Sequence, residues 1–381
     1  MSSSPPSRGA TPLSPRRAPT QALPRSGTAG YARFVSPLSL LGGLLVVLAL
    51  VGALGDPYLE RVVILLGINI ILVVSLNLSN GFTGVFSLGH VGFMAIGAYT
   101  SSILSLTVAT KAQNLPDLPP WLAQLQVGFL PAVLAGGLLA ASIALLIGIP
   151  LMRLSGHYVA VATLGFLVIV HIVLINWTEF TRGARTFSGV VSHTTLWWVA
   201  AWLVVTIYVV WRIVRSPYGR AMVAVRENEI AAQAIGVNVL RSRILAFVVS
   251  AFLTAVGGAL WAHHITSFSP AAFYFAQTFN LIIMLVIGGM GSITGSVLGT
   301  LLVTLLSEVL RNAELGVHLG PIELPPLYGL SQILLAVVFV LVILFRRKGL
   351  MGDRELDLAR LVAWLGRKQP PPLAKGGRPQ A

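Results

Sequence analysis

Long, predominantly apolar runs constrain this chain more than any other feature. Clear runs occupy 35–55, 61–80, 86–108, 127–150, 158–177, 195–214, 244–262 and 327–345. A helix needs about 20 apolar residues to cross a bilayer core, where no water is at hand to satisfy the backbone. Composition agrees: 55% of the 381 residues are hydrophobic, 10% are charged, and the mean hydropathy is +0.84. A soluble domain of this size needs far more charge on its surface. The expected fold is all-α, a polytopic transmembrane helical bundle.

The stretch 272–310 is too long for one span and is broken by Gly288-Gly289-Met290-Gly291-Ser292. Charge decides how to read it. Basic residues favour the cytoplasmic side of a membrane. The first 34 residues, rich in Ser, Pro and Gly, carry Arg8, Arg16, Arg17, Arg25 and Arg33 and read as a disordered tail. The loop 212–243 carries six more Arg, and 346–381 forms a second basic tail. Both tails and the loop fall on one side only if 272–310 crosses twice, as two short helices meeting at the glycine turn. The membrane domain 35–345 then has about ten spans with both termini cytoplasmic. On that topology 21 of the 26 basic residues lie inside, leaving Arg61, Lys111, Arg182, Arg185 and Arg311 outside. A re-entrant hairpin is the second reading.

Several function classes drop out. The net charge of +14 could point to nucleic acid, but the basic residues sit at the ends and in one loop. The tails are expected to touch anionic lipid headgroups of the membrane. There are no cysteines, hence no thiolate metal site or cysteine nucleophile, and the histidines lack zinc spacing. No cofactor or metal is expected. No span carries a charge near its centre, which argues against a proton-driven carrier. No Gly-x-x-x-x-Gly-Lys-Ser/Thr run occurs, so the chain is no P-loop ATPase.

Two regions carry informative patterns. Gly81-Phe82-Thr83-Gly84, followed by Ser87-Leu88-Gly89-His90, allows a helix to break. A broken helix presents free N–H groups and a positive dipole end, which suits a carboxylate. A packing seam with a tight turn explains the same small residues equally well. For His90 a structural hydrogen bond is the favoured role. In the loop, the run 221–235 reads as one short helix stopped by Gly236, a residue suited to a left-handed helix end. The bland reading is a solvated helix whose arginines set topology.

The loop contains Glu229-Ile230-Ala231-Ala232-x-x-x-Gly236, which resembles the EAA motif of ABC-importer permeases, although Ile230 separates Glu from Ala-Ala. Together with the Gly81–Thr100 block, Gly156-His157-Tyr158 onward and Gly288–Gly295, it is similar to the LivM-type permease of branched-chain amino-acid transporters over roughly residues 60–345. This chain departs from the family in Val85-Phe86 and in His157. The resemblance implies an importer subunit in the bacterial inner membrane. Its implied partners are two ATP-binding cassette ATPase subunits, a second, LivH-type permease chain and an extracytoplasmic solute-binding protein. It assigns ATPase coupling to Arg220, Arg226, Glu229, Ala231, Ala232 and Gly236. Thr83, Gly84, Ser87, Gly89, His90, Gly288, Gly289, Gly291 and Ser292 are the expected substrate-path or gating residues. Related permeases for urea or short amides, a stand-alone carrier or channel, and a membrane-embedded enzyme or scaffold are the alternatives.

Overall fold

The computed structural model describes residues 41–46, 52, 55–314, 318–319, 322–323, 329–345 and 349–352. The tails 1–34 and 353–381, most of the run 35–55 and Arg346-Arg347-Lys348 lie outside the described residues.

Helix α1 (Pro57–Asn77) begins where the Asp56 carboxylate accepts the Tyr58 N–H at 2.9 Å and Pro57 presets the first turn. It is apolar on every side, and nearly all of Ile68–Asn77 is buried, so it forms the axis of the bundle. A π-helical turn, Leu78–Phe82, ends it. Helix α2 (His90–Ser105) stops short of the expected 86–108 span. Thr107 caps a separate helix, α3 (Val108–Asn114), and the two are bent by 119°. After α4 (Pro120–Gln124) come α5 (Phe129–Leu151), α6 (His157–Asn176), α7 (Thr178–Thr181) and α8 (Leu196–Arg215).

Helices α9 (Pro217–Glu227) and α10 (Glu229–Ala234) fill the expected cytoplasmic loop, and α11 (Val239–Ile265) starts inside it. The expected single helix 221–235 is therefore two. Asn228 is extended, and its side chain accepts the Ala231 N–H at 3.0 Å, so it ends one helix and starts the next. Then follow α12 (Phe275–Gly288), α13 (Ile293–Glu314) and α14 (Leu330–Phe345). A two-residue antiparallel pairing joins His318–Leu319 to Ile322–Glu323.

Among the described residues six helices are long and apolar enough to cross a membrane, and α2 with α3 makes a seventh if that bent pair counts as one span. Of the two short helices expected at 272–310, only α12 is short. Its 14 residues reach about 21 Å at 1.5 Å per residue, whereas α13 has 22 residues.

Helix α11 packs across α2 and α5, with α1 behind it. Glycine sets how close they come. A Cβ on Gly97 would stand 2.0 Å from the Ala255 carbonyl oxygen, and one on Gly258 would stand 2.0 Å from that of Met94. The α2 and α11 backbones therefore touch, the contact by which membrane helices gain packing without a hydrophobic drive. The α12–α13 hairpin closes in the same way, Gly288 lying against Gly295 and Gly299.

Contacts sort the helix ends into two groups. At one end Tyr58 donates to Glu308, which pairs with Arg311, both at 2.5 Å. Phe187 and Phe268 exchange backbone hydrogen bonds there, and Tyr99, Phe273 and Trp261 pack around them. Lys111, expected in an outer loop, is fully buried. Its Nζ donates to the carbonyls of Leu122, at 3.0 Å, and Leu125. At the other end lie the residues described next. Between Phe273 and Glu308 the chain runs from the first end to the second and back.

Candidate functional site

Asn77 at the end of α1 and Asn80 in the π-helical turn after it organise the second end. Asn80 clamps the following turn, its Nδ2 donating to Ser87 O at 3.2 Å and its Oδ1 accepting the Ser87 N–H at 3.1 Å. Thr83 Oγ1 donates to Ser79 O. The Leu88 N–H donates to Thr163 Oγ1 at 3.0 Å, which ties the turn to α6.

His90 opens α2 in a fully buried site. Ser250 Oγ donates to Phe247 O and so accepts from His90 Nε2 at 2.9 Å; Nδ1 then accepts from Ser87 Oγ at 2.9 Å. Nε2 thus joins α2 to α11, and Nδ1 ties the helix to the turn before it. Thr83, Ser87 and Gly89 are buried around it, while Gly84 is exposed.

Asn77 reaches the second glycine region. Its Nδ2 donates to Ser292 O at 2.9 Å and to Ser296 Oγ at 2.7 Å, and its Oδ1 accepts the Gly291 N–H at 2.9 Å. Ser292 Oγ accepts the Gly295 N–H at 3.0 Å and caps α13. Gly288 and Gly289 are buried in the turn before it. Gly81 sits between the two regions. A Cβ there would fall 1.8 Å from Asn77 Oδ1 and 2.4 Å from the Gly291 nitrogen. Gly81 and Gly291, 210 residues apart in sequence, therefore meet backbone to backbone.

The expected coupling loop joins the same node. Arg226, at the end of α9, donates from Nη1 to Gly81 O at 2.9 Å and pairs with Glu227 at 2.7 Å. Its aliphatic stem covers Gly84, where a Cβ would lie 2.9 Å from Arg226 Cγ. Glu229 is bound inward, to Arg243 at 2.7 Å. Ala232 is buried with Val225 and Val239, which fixes α10 against α9 and α11. Gly236 has φ +84°, a left-handed position that glycine adopts without strain. Arg220 and Ala231 are exposed, and so are Ile230 and Ile235, at 80% and 76%. The sequence pattern treated Ile230 as an interruption. In the structure Ile230 and Ile235 both stand exposed, one in the first turn of α10 and one just past its end.

A fourth segment arrives from beyond α14. Leu350 N donates to Ile287 O at 2.8 Å and Met351 N to Gly288 O at 3.2 Å, capping the end of α12. Gly349, at φ +72°, packs on Gly289. Nothing in the sequence marked this strap. Asn77 and Asn80 did leave a signal, as the two amides at the end of an otherwise apolar run.

Chemically the node holds amides, hydroxyls and one guanidinium. No cluster of metal-ligating side chains occurs among the described residues. One cleft of about 510 Å³ lies between α2, α5 and α6 toward the opposite end, and one of about 640 Å³ lies between α5, α9 and α11. None of the expected path residues lines either cleft. The arrangement can transmit force between a surface helix and two helix breaks.

Glycine-packed apolar helices around a polar hinge make this an integral membrane protein of the permease class. The chain belongs to the family described as "Branched-chain amino acid transport system / permease component", whose model matches residues 58–343. Family membership and the apolar helices place it in the plasma membrane as a multi-pass protein. It is 34% identical over 259 residues to the high-affinity branched-chain amino acid transport system permease protein LivM of Escherichia coli, covering 59% of this chain and 57% of that one. The match to the probable branched-chain amino acid transport permease protein LivM of Methanocaldococcus jannaschii is 24% over 330 residues, covering 78% and 94%. The ribose import permease protein RbsC of Haemophilus influenzae is 28% identical over 174 residues, covering 41% and 54%. The chain thus spans little more than half the length of the Escherichia coli relative. No solved structure matches.

Proposed function

We propose that this chain is the membrane subunit of an ABC importer for branched-chain or related amino acids. It takes solute from an extracytoplasmic binding protein and is driven by two ATPase subunits seated on α9 and α10. A second, LivH-type permease completes the path, and the chain itself carries out no chemistry. The observation that carries this reading is the Arg226–Gly81 hydrogen bond. It connects α9, beside which α10 carries the exposed Ile230 and Ile235, to the α1 break and, through Asn77, to the α12–α13 turn. Tilting of α10 by a docked ATPase then moves both breaks together, a rocking of packed helices.

The proposed topology has about ten spans with both termini cytoplasmic. The shared end of loop 212–243, the two breaks and the 349–352 strap supports it, as does the gathering of the 178–194 and 263–271 loops at the opposite end. The thin polar lining of the glycine breaks favours gating for Thr83, Gly84, Ser87, Gly89, Gly288, Gly289, Gly291 and Ser292, and a structural role for His90.

The test is Arg226→Ala in the reconstituted complex. ATPase binding is expected to persist and substrate-stimulated uptake to fall about tenfold or more, the loss of one charge-assisted hydrogen bond worth about 1.5–3 kcal/mol. Uptake and ATP hydrolysis both at the unmutated level would sink the proposal. Because the chain has no cysteines, a single Ile235→Cys also allows direct crosslinking to the ATPase.

A further inference from the structure

The 640 Å³ cleft between α5, α9 and α11 has two chemically distinct halves. Its floor is apolar, formed by Leu145, Ile244, Leu245 and Val248. Leu145 and Leu245 are exposed at its side, and the surface continues along α5 through exposed Leu146 and Ile149. Its mouth is polar, with Arg241, Ser242 and Tyr218 at the level where the loop meets the membrane domain.

The charge at that mouth is unbalanced. The loop 212–243 holds two carboxylates, Glu227 and Glu229, and both are engaged, by Arg226 and Arg243 at 2.7 Å. Among the described residues neither Arg241 nor Arg220, which lies on α9 beside the cleft-lining Ala221, forms an ion pair. Both are exposed. A cationic mouth over an apolar slot open to the bilayer matches one molecule available at that depth: a phosphate on a hydrocarbon chain. Water cannot fill the floor favourably, and an isolated anion gains nothing from it.

We infer that this cleft binds an anionic phospholipid of the cytoplasmic leaflet, its phosphate held by Arg241 and its acyl chain lying along Leu145, Leu245 and Val248. The inference rests on the sidedness proposed above. The lipid lies between the coupling helices and α11, so its headgroup sets how α9 is seated.

Native mass spectrometry of the full chain, titrated with phosphatidylglycerol and with phosphatidylcholine, tests it. The unmutated chain is expected to retain phosphatidylglycerol preferentially. Arg241→Gln should weaken that binding about five- to tenfold, Arg241→Lys should largely keep it, and Leu245→Trp should weaken it by filling the slot. Arg212→Gln, an exposed loop arginine away from the cleft, should leave it unchanged. Equal retention of the two lipids, or equal losses in Arg241→Gln and Arg212→Gln, would overturn the assignment. A cleft that accepts no lipid and closes only on the ATPase would assign it to that partner and also overturn it. Sidedness is read separately, by labelling a single Asn238→Cys from each face of the membrane.

Discussion

Replacing Asn77 by Ala gives the sharpest test of how the two helix breaks are held together. The side chain is wholly buried and makes three hydrogen bonds, at 2.9, 2.7 and 2.9 Å, to Ser292 O, Ser296 Oγ and the Gly291 N–H. Truncation does not strand all three partners. Ser292 O still accepts from the Ser296 N–H and hydroxyl, each at 3.1 Å, so only the Gly291 N–H loses its recorded partner. Interhelical hydrogen bonds in membrane proteins average about 0.6 kcal/mol, which gives roughly 2 kcal/mol for the set. The orphaned N–H adds about 1 kcal/mol, the low end of its range because Gly291 is only half-buried. A loss of about 3 kcal/mol lowers the melting midpoint by roughly 4 °C, given an unfolding entropy of about 2 cal/mol/K per residue over 381 residues.

The assay is thermal unfolding of the purified chain in detergent, with Ser79→Ala as the internal comparison. Ser79 lies two residues on, is equally buried, and its hydroxyl has no partner among the described residues. Its removal should leave the midpoint unchanged or raise it slightly, because a buried unpaired hydroxyl forms no stabilising bond and carries a desolvation cost when present. Equal shifts in the two variants would refute the reasoning, since they would report burial alone. A normal midpoint in Asn77→Ala would show that the breaks are held by backbone packing.

Other expectations follow from packing and backbone geometry. Gly258→Leu drives a side chain into the Met94 carbonyl, 2.0 Å from where its Cβ must sit. Backbone cannot yield as a side-chain tip does, so the loss should exceed the usual 1–3 kcal/mol of overpacking and leave little folded protein by size-exclusion chromatography. Gly349→Val places a β-branched residue at φ +72° and its Cβ 2.6 Å from Val286 O. It should release the 349–352 strap, seen as faster hydrogen exchange at Leu350 and Met351 while α1 and α11 amides stay protected. Lys111→Met keeps the stem and removes the ammonium from the Leu122 and Leu125 carbonyls. Protease cleavage within 115–126 should increase severalfold, with the melting midpoint of the bundle nearly unmoved.

The local features were legible because each depends on neighbours in sequence. The apolar runs located α1, α5, α6, α8 and α11 to within a few residues, since lipid or a dry interior imposes one requirement along each run. Gly236 ended α10 as its residue type required. Thr107 and Asn228 were missed. Both are cap residues whose signal is a single side chain inside a longer pattern, and both divided what read as one helix.

What the sequence determined by itself was a set of apolar helices with its arginines and lysines gathered mainly in one loop and the two terminal segments, because membrane insertion reads hydrophobicity and charge along the chain. The tertiary structure alone decided that Asn77, Gly81, Arg226 and Gly291 share one node. Those contacts span up to 214 residues and depend on glycines that let backbones meet, a property set by what lies opposite each glycine. It also decided which arginines are satisfied. Arg226 and Arg243 have partners and Arg241 stands at an open cleft, although all three look alike in the sequence.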